Sequence, residues 1–181
     1  MKAEELNNKL NSKMTLISTI VEHKPGVLFR VSNMFRRRGF NIESISVGPT
    51  EHPDLARMTI MIRGDEKLAG QVVKQLRKLI DVISVQLLEE EQTVQRELAL
   101  VKIRVENPEI RREIMDYTNI FRGRIVDVAP NSLIVEITGT PDKMDAFINL
   151  IRRFGILELS RTGITALSRG EATIIKTVRA V

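Results

Sequence analysis

The spacing of apolar residues along the first part of the chain changes from strand-like to helix-like and back. Residues 15–22 (TLISTIVE) form a short β-branched run, which predicts a strand. From Pro25 the apolar residues follow helical spacing, and Gly39 stands where a left-handed C-terminal cap belongs. Residues 41–47 (NIESISV) alternate again and predict a second strand. The apolar face predicted for the helix comprises Val27, Leu28, Val31, Met34 and Phe35.

The following segment adds a strand, a helix and a further strand. Residues 56–64 (ARMTIMIRG) predict the third strand, and Asp65 is placed to cap a second helix. Residues 81–89 (DVISVQLLE) predict the fourth strand. The order strand, helix, strand, strand, helix, strand is that of the ferredoxin-like, split βαβ arrangement. The core face predicted for the second helix comprises Leu68, Val72, Leu76, Leu79 and Ile80.

The same order starts again after a polar segment, EEEQTVQ at 89–95. We therefore predict an α+β protein of two ferredoxin-like βαββαβ domains, with a polar tail at 1–14 and domains at 15–92 and 93–181. A single four-helix α+β domain is the alternative, and the polar break and the repeated order argue against it. The elements predicted for the second domain are a strand at 97–106, a helix from Asn107 to Gly123, strands at 124–129 and 132–139, a helix with Asp142 in its first turn, and strand residues within 156–168.

The two predicted domains differ at the turn between the first strand and the first helix. Only the first domain has a glycine there, Gly26, whereas the second has Glu109. A helix N-terminus presents unpaired N–H donors and a partial positive charge, which attract a carboxylate. Because Gly26 has no Cβ, it would let that carboxylate approach the backbone. An ordinary loop-to-helix entrance is the alternative interpretation of this turn.

Asn41 begins the second strand, which this topology brings near the glycine turn of the same or a neighbouring chain. Its side chain both donates and accepts hydrogen bonds, so it could bind an ammonium or a carboxylate group. The alternative is a turn residue that follows Gly39. Leu28 and Ile42 would supply apolar walls, or would simply belong to the core. Together these residues suit a free aliphatic amino acid as ligand.

The basic residues are interleaved with acidic ones, although the formal net charge is +5. The densest basic run, Arg36 to Arg38, falls at the predicted end of the first helix, where cations complement the helix dipole. With one Tyr and no Trp, the chain has no aromatic cluster to stack on bases. These observations argue against a nucleic-acid-binding protein.

Several further classes are disfavoured by what the sequence lacks. Cysteine is absent, which excludes disulfides and thiolate chemistry and fits a reducing compartment. No apolar run is long enough to span a membrane, and the polar N-terminus lacks the apolar region of a signal peptide. His23 and His52 are the only histidines, and no glycine-rich phosphate loop occurs, so neither a zinc site nor a nucleotide site is predicted. We expect a cytoplasmic protein.

The residues around the first helix resemble a known module. A strand, the Lys-Pro-Gly-Val turn at 24–27, a helix and RGFNIES at 38–44 look like an ACT domain, the small-molecule-sensing module of amino-acid metabolism. Longer blocks, NMFRRRGFNIESISVGPTEHPDLARMTIMIRGDEK in the first domain and IFRGRIVDV in the second, resemble the regulatory small subunit of acetolactate synthase. The resemblance extends over nearly all of residues 15–170 and identifies the N-terminal domain as an ACT domain.

That resemblance implies a subunit without catalytic activity of its own. Proteins of this family bind a large, thiamine-diphosphate-dependent catalytic subunit, raise its activity and confer feedback inhibition by branched-chain amino acids, chiefly valine. Thiamine diphosphate, magnesium and FAD would belong to that partner, and no cofactor is expected on this chain. The resemblance also implies a homodimer formed through the ACT domains, with valine, leucine or isoleucine as effector and neither a nucleic acid nor a membrane as partner.

The family's effector site lies between the ACT domains of two chains. The glycine turn of one chain would offer backbone N–H groups to the effector carboxylate, and Asn41 of the other would contact the amino-acid head group. His23 departs from the family, whose members often carry Asn or Asp there; its imidazole charge depends on pH, which leaves effector affinity open. The site residues implied by the resemblance are His23, Gly26, Val27, Leu28, Asn41 and Ile42.

Two other classes of function stay open as alternatives. An ACT-type amino-acid-sensing regulator of transcription would need a helix-turn-helix, and the stretch before the first strand is too short for one; such a sensor could also regulate another enzyme. A stand-alone enzyme would need polar residues clustered in a cleft, which the sequence does not indicate. Residues 56–64 carry apolar side chains on both faces, so we expect another domain or subunit to cover part of this sheet.

Overall fold

The computed structural model describes residues 13–175, which divide into two compact units. Residues 13–94 and 166–175 form the first unit, and residues 95–165 form the second. Each unit follows the order strand, helix, strand, strand, helix, strand, so the predicted α+β fold of two ferredoxin-like repeats is confirmed. The elements of the first unit are β1 (Met14–Glu22), α1 (Val27–Arg38), β2 (Ser44–Pro49), β3 (Leu55–Arg63), α2 (Glu66–Leu76) and β4 (Val82–Leu88).

The first unit is an antiparallel sheet in the order β2-β3-β1-β4, with α1 and α2 packed on the core residues of one face. The register is set by pairs such as Ile17 with Ile60 and Val21 with Ala56, which bring alternate apolar residues of β1 and β3 to the same face. This face and the two helices bury a single core. Its fully buried members include Ile17, Val21, Val31, Phe35, Met58, Ile60, Ile62, Val72 and Leu76.

The second unit repeats this architecture with a different set of side chains. Its strands follow the order β6-β7-β5-β8, and pairs such as Val101 with Val135 set the antiparallel register. Asn107 caps the first helix by accepting a hydrogen bond from the Ile110 N–H at 2.9 Å. The elements are β5 (Thr93–Arg104), α3 (Pro108–Ile120), β6 (Arg124–Ala129), β7 (Ser132–Gly139), α4 (Pro141–Ile151) and β8 (Ile156–Arg161). A short strand, β9 (Thr165–Ser168), begins where the chain returns to the first unit.

Two expectations about where helices end are wrong. Ile80 was expected in the core face of the second helix, but α2 ends at Leu76 and the Ile80 side chain is 92% exposed in the turn before β4. Gly123 was expected to end α3, but Arg122 adopts the left-handed conformation, with φ 54°. Gly123 serves another purpose, because a Cβ there would lie 3.0 Å from the backbone oxygen of Glu136.

Residues 166–175 group with the first unit, whereas the sequence-based division assigned them to a C-terminal domain beginning at 93. The physical reason is an apolar contact that strand order cannot reveal. Ile174, 7% exposed, packs with Ile20 of β1 and Leu55 of β3. The polar tail predicted at 1–14 lies almost wholly outside the described residues. Among the helices of residues 13–175, none combines the length and apolar character that a bilayer crossing requires.

Candidate functional site

The turn from β1 into α1 leaves the start of this helix open to solvent. Gly26 is the N-terminal cap and has a left-handed backbone, with φ 85° and ψ −8°. In the described structure, no side chain accepts a hydrogen bond from this end of α1. The neighbouring residues from His23 to Pro25 are exposed, while Val27 is buried and its N–H donates to the backbone oxygen of Lys24 at 3.4 Å. The exposed turn therefore leaves N–H donors at the start of α1 without a side-chain partner.

An ion pair that the sequence did not predict lies beside this turn. Arg30 of α1 donates two hydrogen bonds to Asp81, Nε to Oδ2 at 2.5 Å and Nη2 to Oδ1 at 2.7 Å. The Asp81 side chain is 8% exposed, and its backbone oxygen accepts from the Glu22 N–H at 2.9 Å. The hydrogen bond to Asp81 raises the pKa of Arg30 above its ordinary value, so the guanidinium is charged at every physiological pH. Asp81 and Arg30 thus form a bidentate ion pair.

The same arginine explains why residue 26 is a glycine. A Cβ at Gly26 would lie 3.3 Å from Nη1 of Arg30, the guanidinium nitrogen that the pair with Asp81 does not use. Glycine therefore satisfies two requirements at this position, the positive φ and the space for the arginine. The charges of Arg30 and Asp81 offset each other, so the attraction for an anion at the open end of α1 comes from its backbone N–H groups.

Asn41 and Ile42 lie beyond the other end of α1. Gly39 ends the helix with φ 69°, and its N–H donates to the backbone oxygen of Arg36. Asn41 is exposed, and its Nδ2 donates to Oε1 of Glu43 at 3.0 Å. Ile42 is half-buried and packs against the first core, so only part of its side chain can face a ligand.

Two more candidates lie near the glycine turn. Leu28 was placed on the apolar face of the helix, but its side chain is 46% exposed and faces solvent. The His23 side chain is exposed, and its Nδ1 lies 3.4 Å from the backbone oxygen of Pro53. The backbone N–H of His23 donates to the backbone oxygen of Asp54 at 2.7 Å. The backbone bond fixes the position of the turn relative to the loop before β3.

Strand directions decide whether the two groups of residues can meet within one chain. β1 and β2 are both antiparallel to β3, so they run in the same direction. The glycine turn follows the end of β1, whereas Asn41 precedes the start of β2, so they lie at opposite ends of the sheet. The 12 residues of α1 between them span about 18 Å. Of the two arrangements expected from the sequence, only a site shared between neighbouring chains can include both groups.

The described residues offer no alternative centre for metal chemistry. Within residues 13–175, no group of three or more His, Asp or Glu side chains is placed to hold a metal ion. Charged clusters do occur in the second unit, where Arg161 bonds to the buried Glu97 and to Asp145. In that cluster every charged group faces an opposite charge, which is the pattern of a structural ion pair.

Known proteins match both units of the chain. Residues 17–84 match the family model described as the AHAS small subunit-like ACT domain, and residues 96–170 match that of the small subunit of acetolactate synthase. A protein of Methanothermobacter thermautotrophicus, named "Probable acetolactate synthase small subunit", is 59% identical over 159 residues, which cover 88% of this chain and 95% of that protein. This chain belongs to the acetolactate synthase small-subunit family.

Other members of the small-subunit family agree with this assignment. The acetolactate synthase small subunit of Mycolicibacterium smegmatis is 46% identical over 154 residues, covering 85% of this chain and 90% of that protein. The crystal structure of the acetolactate synthase small subunit from Thermotoga maritima has a TM-score of 0.83 and 44% identity, and it covers 88% of this chain and 99% of that one. The family and the ACT fold expected from the sequence are confirmed, and membership supports the role of a regulatory, non-catalytic subunit.

Proposed function

We propose that this chain regulates an acetolactate synthase by binding its large catalytic subunit, raising the rate of that subunit and making it sensitive to valine or a related branched-chain amino acid. The observation that carries the proposal is the family match across both units of the chain. The reaction's thiamine diphosphate, magnesium and FAD would belong to the large subunit. This chain contributes binding and regulation rather than a reacting group.

The open end of α1 supports the proposed position of the effector carboxylate. The N–H groups at Gly26 and Val27 would hold the carboxylate, because no side chain of the described structure caps them, and the Val27 N–H would exchange its long bond to the Lys24 backbone oxygen, at 3.4 Å, for the ligand. The exposed Leu28 would line the aliphatic pocket, and His23 would border it at the turn. Asn41 and Ile42 would come from a second copy of the chain, since they lie at the far end of α1 in the same copy.

The edge of the first sheet offers a simple way to build such a dimer. β2 is an edge strand, and an edge strand tends to pair with another edge. If two copies pair their β2 strands antiparallel about a two-fold axis, the start of one β2 lies beside the end of the other. That end is on the side of the sheet where the glycine turn lies, so each Asn41 would approach the partner's turn.

Effector binding would change how the dimer holds the catalytic subunit. An amino acid that contacts two chains at once favours the relative position of the chains in which both contacts are made. A coupling free energy of about 1–3 kcal/mol between effector and catalytic partner would give control of roughly 5- to 150-fold.

The proposed function is tested by adding the purified chain to an acetolactate synthase large subunit and measuring the rate with and without valine. We expect the chain alone to be inactive, the large subunit to be stimulated, and valine to reverse the stimulation. Asn41→Ala should weaken inhibition by valine and preserve stimulation, because Asn41 is exposed and outside the core. A rate unaffected by the chain would overturn the proposed function, and equal loss of both effects in the variant would make Asn41 a docking or folding residue.

A further inference from the structure

A groove with a strongly basic lining lies between α1 and the end of α2 in the first unit. It has a volume of about 400 Å³. Its charged side chains include Arg37 and Arg38 from the last turn of α1 and Lys78 from the turn after α2. The more buried Met34 and Leu79 also line it. We call this surface the basic groove.

The positive charge of the basic groove is not balanced from within the described structure. No Asp or Glu lines the groove, and none of Arg37, Arg38 and Lys78 forms an ion pair among residues 13–175. Arg30, at one end of the groove, is the exception, because Asp81 neutralises it. Like charges held together in a concave surface repel one another and focus a positive potential outward. Such an arrangement favours a negatively charged partner.

Exposed apolar side chains adjoin the same surface. Phe29 is 72% exposed and stands four residues before Asn33 and eight before Arg37, so the three lie in one row along α1. Ile80 is 92% exposed and directly follows Leu79, which lines the groove. Neither side chain contributes to the core of the first unit. An aromatic ring and arginines on one exposed surface are typical of residues that contribute strongly to protein–protein binding.

We propose that the basic groove, with Phe29 and Ile80 at its border, is the surface of the first unit on which an acidic segment of the catalytic large subunit docks. This proposal rests on the proposed function, and it adds the surface and the charge of the partner. Carboxylates of the partner would pair with Arg37, Arg38 and Lys78, and its apolar residues would cover the two exposed side chains. Electrostatic attraction would speed association and select the partner.

Charge reversal in the groove is the first test, and the chain offers a matched control. Arg37→Glu/Arg38→Glu reverses two charges that line the groove. Arg36→Glu/Lys74→Glu reverses two exposed charges on the same helices that do not line it. Both variants change the net charge equally, and both place an acid in the last turn of α1. Direct binding to the large subunit is measured by sedimentation, and stimulation by the concentration of chain that gives half of the maximal rate.

We expect the groove variant to bind at least about tenfold more weakly than wild type, and the control variant to stay within about threefold. Raised salt should weaken wild-type binding more than binding of the groove variant, since fewer charge pairs remain to be screened. Phe29→Ser should also weaken binding, but the salt dependence of its binding should equal that of wild type, because no charge is removed. Circular dichroism of each variant establishes that the fold is retained.

The outcomes separate the docking surface from the function. A wild-type chain that neither binds nor stimulates the large subunit overturns the proposed function. If the wild-type chain binds and stimulates the large subunit, two results would overturn the docking surface alone. One is a groove variant with unchanged affinity, and the other is an equal loss of affinity in the two double variants. Binding of duplex DNA by the wild type that is lost in the groove variant, with docking to the large subunit intact, would assign the groove to a nucleic acid and also overturn the proposal.

Discussion

Asp81 shows how one buried side chain can organise a functional turn. Its carboxylate is almost fully buried and would be costly to leave unpaired, so it holds Arg30 of α1 in a two-point contact. The backbone of Asp81 is bonded to Glu22 at the end of β1. The strand end, the glycine turn and the first turn of α1 are thereby fixed to one another, which gives the open helix terminus a defined position.

Gly26 is the residue at which backbone conformation and space can be tested together. Gly26→Ala should destabilise the fold by roughly 1–2 kcal/mol, because an L residue is strained at φ 85°. It should also weaken valine binding, since the added Cβ would lie 3.3 Å from Nη1 of Arg30 and beside the proposed carboxylate position. Thermal unfolding and titration calorimetry with valine measure the two effects.

The matched control for this substitution is Gly170→Ala. Gly170 has φ 67° with no atom within 4 Å of an added Cβ, so it shares the backbone strain without the crowding. We expect a similar loss of stability and unchanged valine binding. Equal loss of valine binding in both variants would attribute the effect to stability and not to the turn.

At the scale of the elements, the N-terminal caps of α2 and α4 differ in one hydrogen bond, so their contributions to stability can be compared. Asp65 caps α2 by accepting a hydrogen bond from the Leu68 N–H at 2.8 Å. Thr140 is in the same position before α4 but caps it with no side-chain hydrogen bond. Asp65→Ala should therefore cost about 1 kcal/mol and speed amide exchange in the first turn of α2, whereas Thr140→Ala should be nearly neutral. Denaturant unfolding and hydrogen exchange measure both changes, and a Thr140 substitution as costly as that of Asp65 would contradict the role of the bond.

Most elements could be predicted from the sequence because local patterns determine them. The order of helices and strands along the chain, the cap at Asp65 and the left-handed Gly39 all follow from residues close together in the chain. The error at Ile80 arose because apolar periodicity continues past the end of a helix when the next turn happens to contain apolar residues. The error at Gly123 arose because a glycine can be required by a neighbouring strand as well as by a cap.

The pairing of Arg30 with Asp81 could not be predicted in the same way. The two residues are 51 positions apart, and nothing in the local pattern of either indicates a partner. The sequence contains one weak signal of burial, because Asp81 stands between the apolar residues Ile80 and Val82 at the start of a strand. A buried carboxylate needs an opposite charge, but the sequence does not indicate which one.

Gly26, Asn41 and the apolar walls could be proposed from the residues themselves, and the family resemblance added His23 and Val27. Their division between the two ends of α1 required the pairing of the strands.

At the scale of the whole molecule, the chain consists of two units with the same topology and different surfaces. In the first unit, α1 starts at an uncapped glycine, whereas Asn107 caps α3 of the second unit through its side chain. This difference supports a ligand site in the first unit. It also explains why we propose only one effector pocket for each chain, although the chain contains two units of the same fold. The basic groove between α1 and α2 adds a second surface to the same unit.

The separation of Gly26 and Asn41 by the length of α1 has a consequence for mixtures of defective chains. In a dimer that joins a Gly26→Ala chain to an Asn41→Ala chain, one pocket receives both substitutions and the other receives neither. Random mixing of equal amounts makes about half of the dimers mixed, so about a quarter of all pockets should be intact. Valine sensitivity should therefore rise above that of either variant when the two are unfolded and refolded together, and no rise would mean that the pocket is not shared. Two chains that each respond weakly would restore part of the response by complementation.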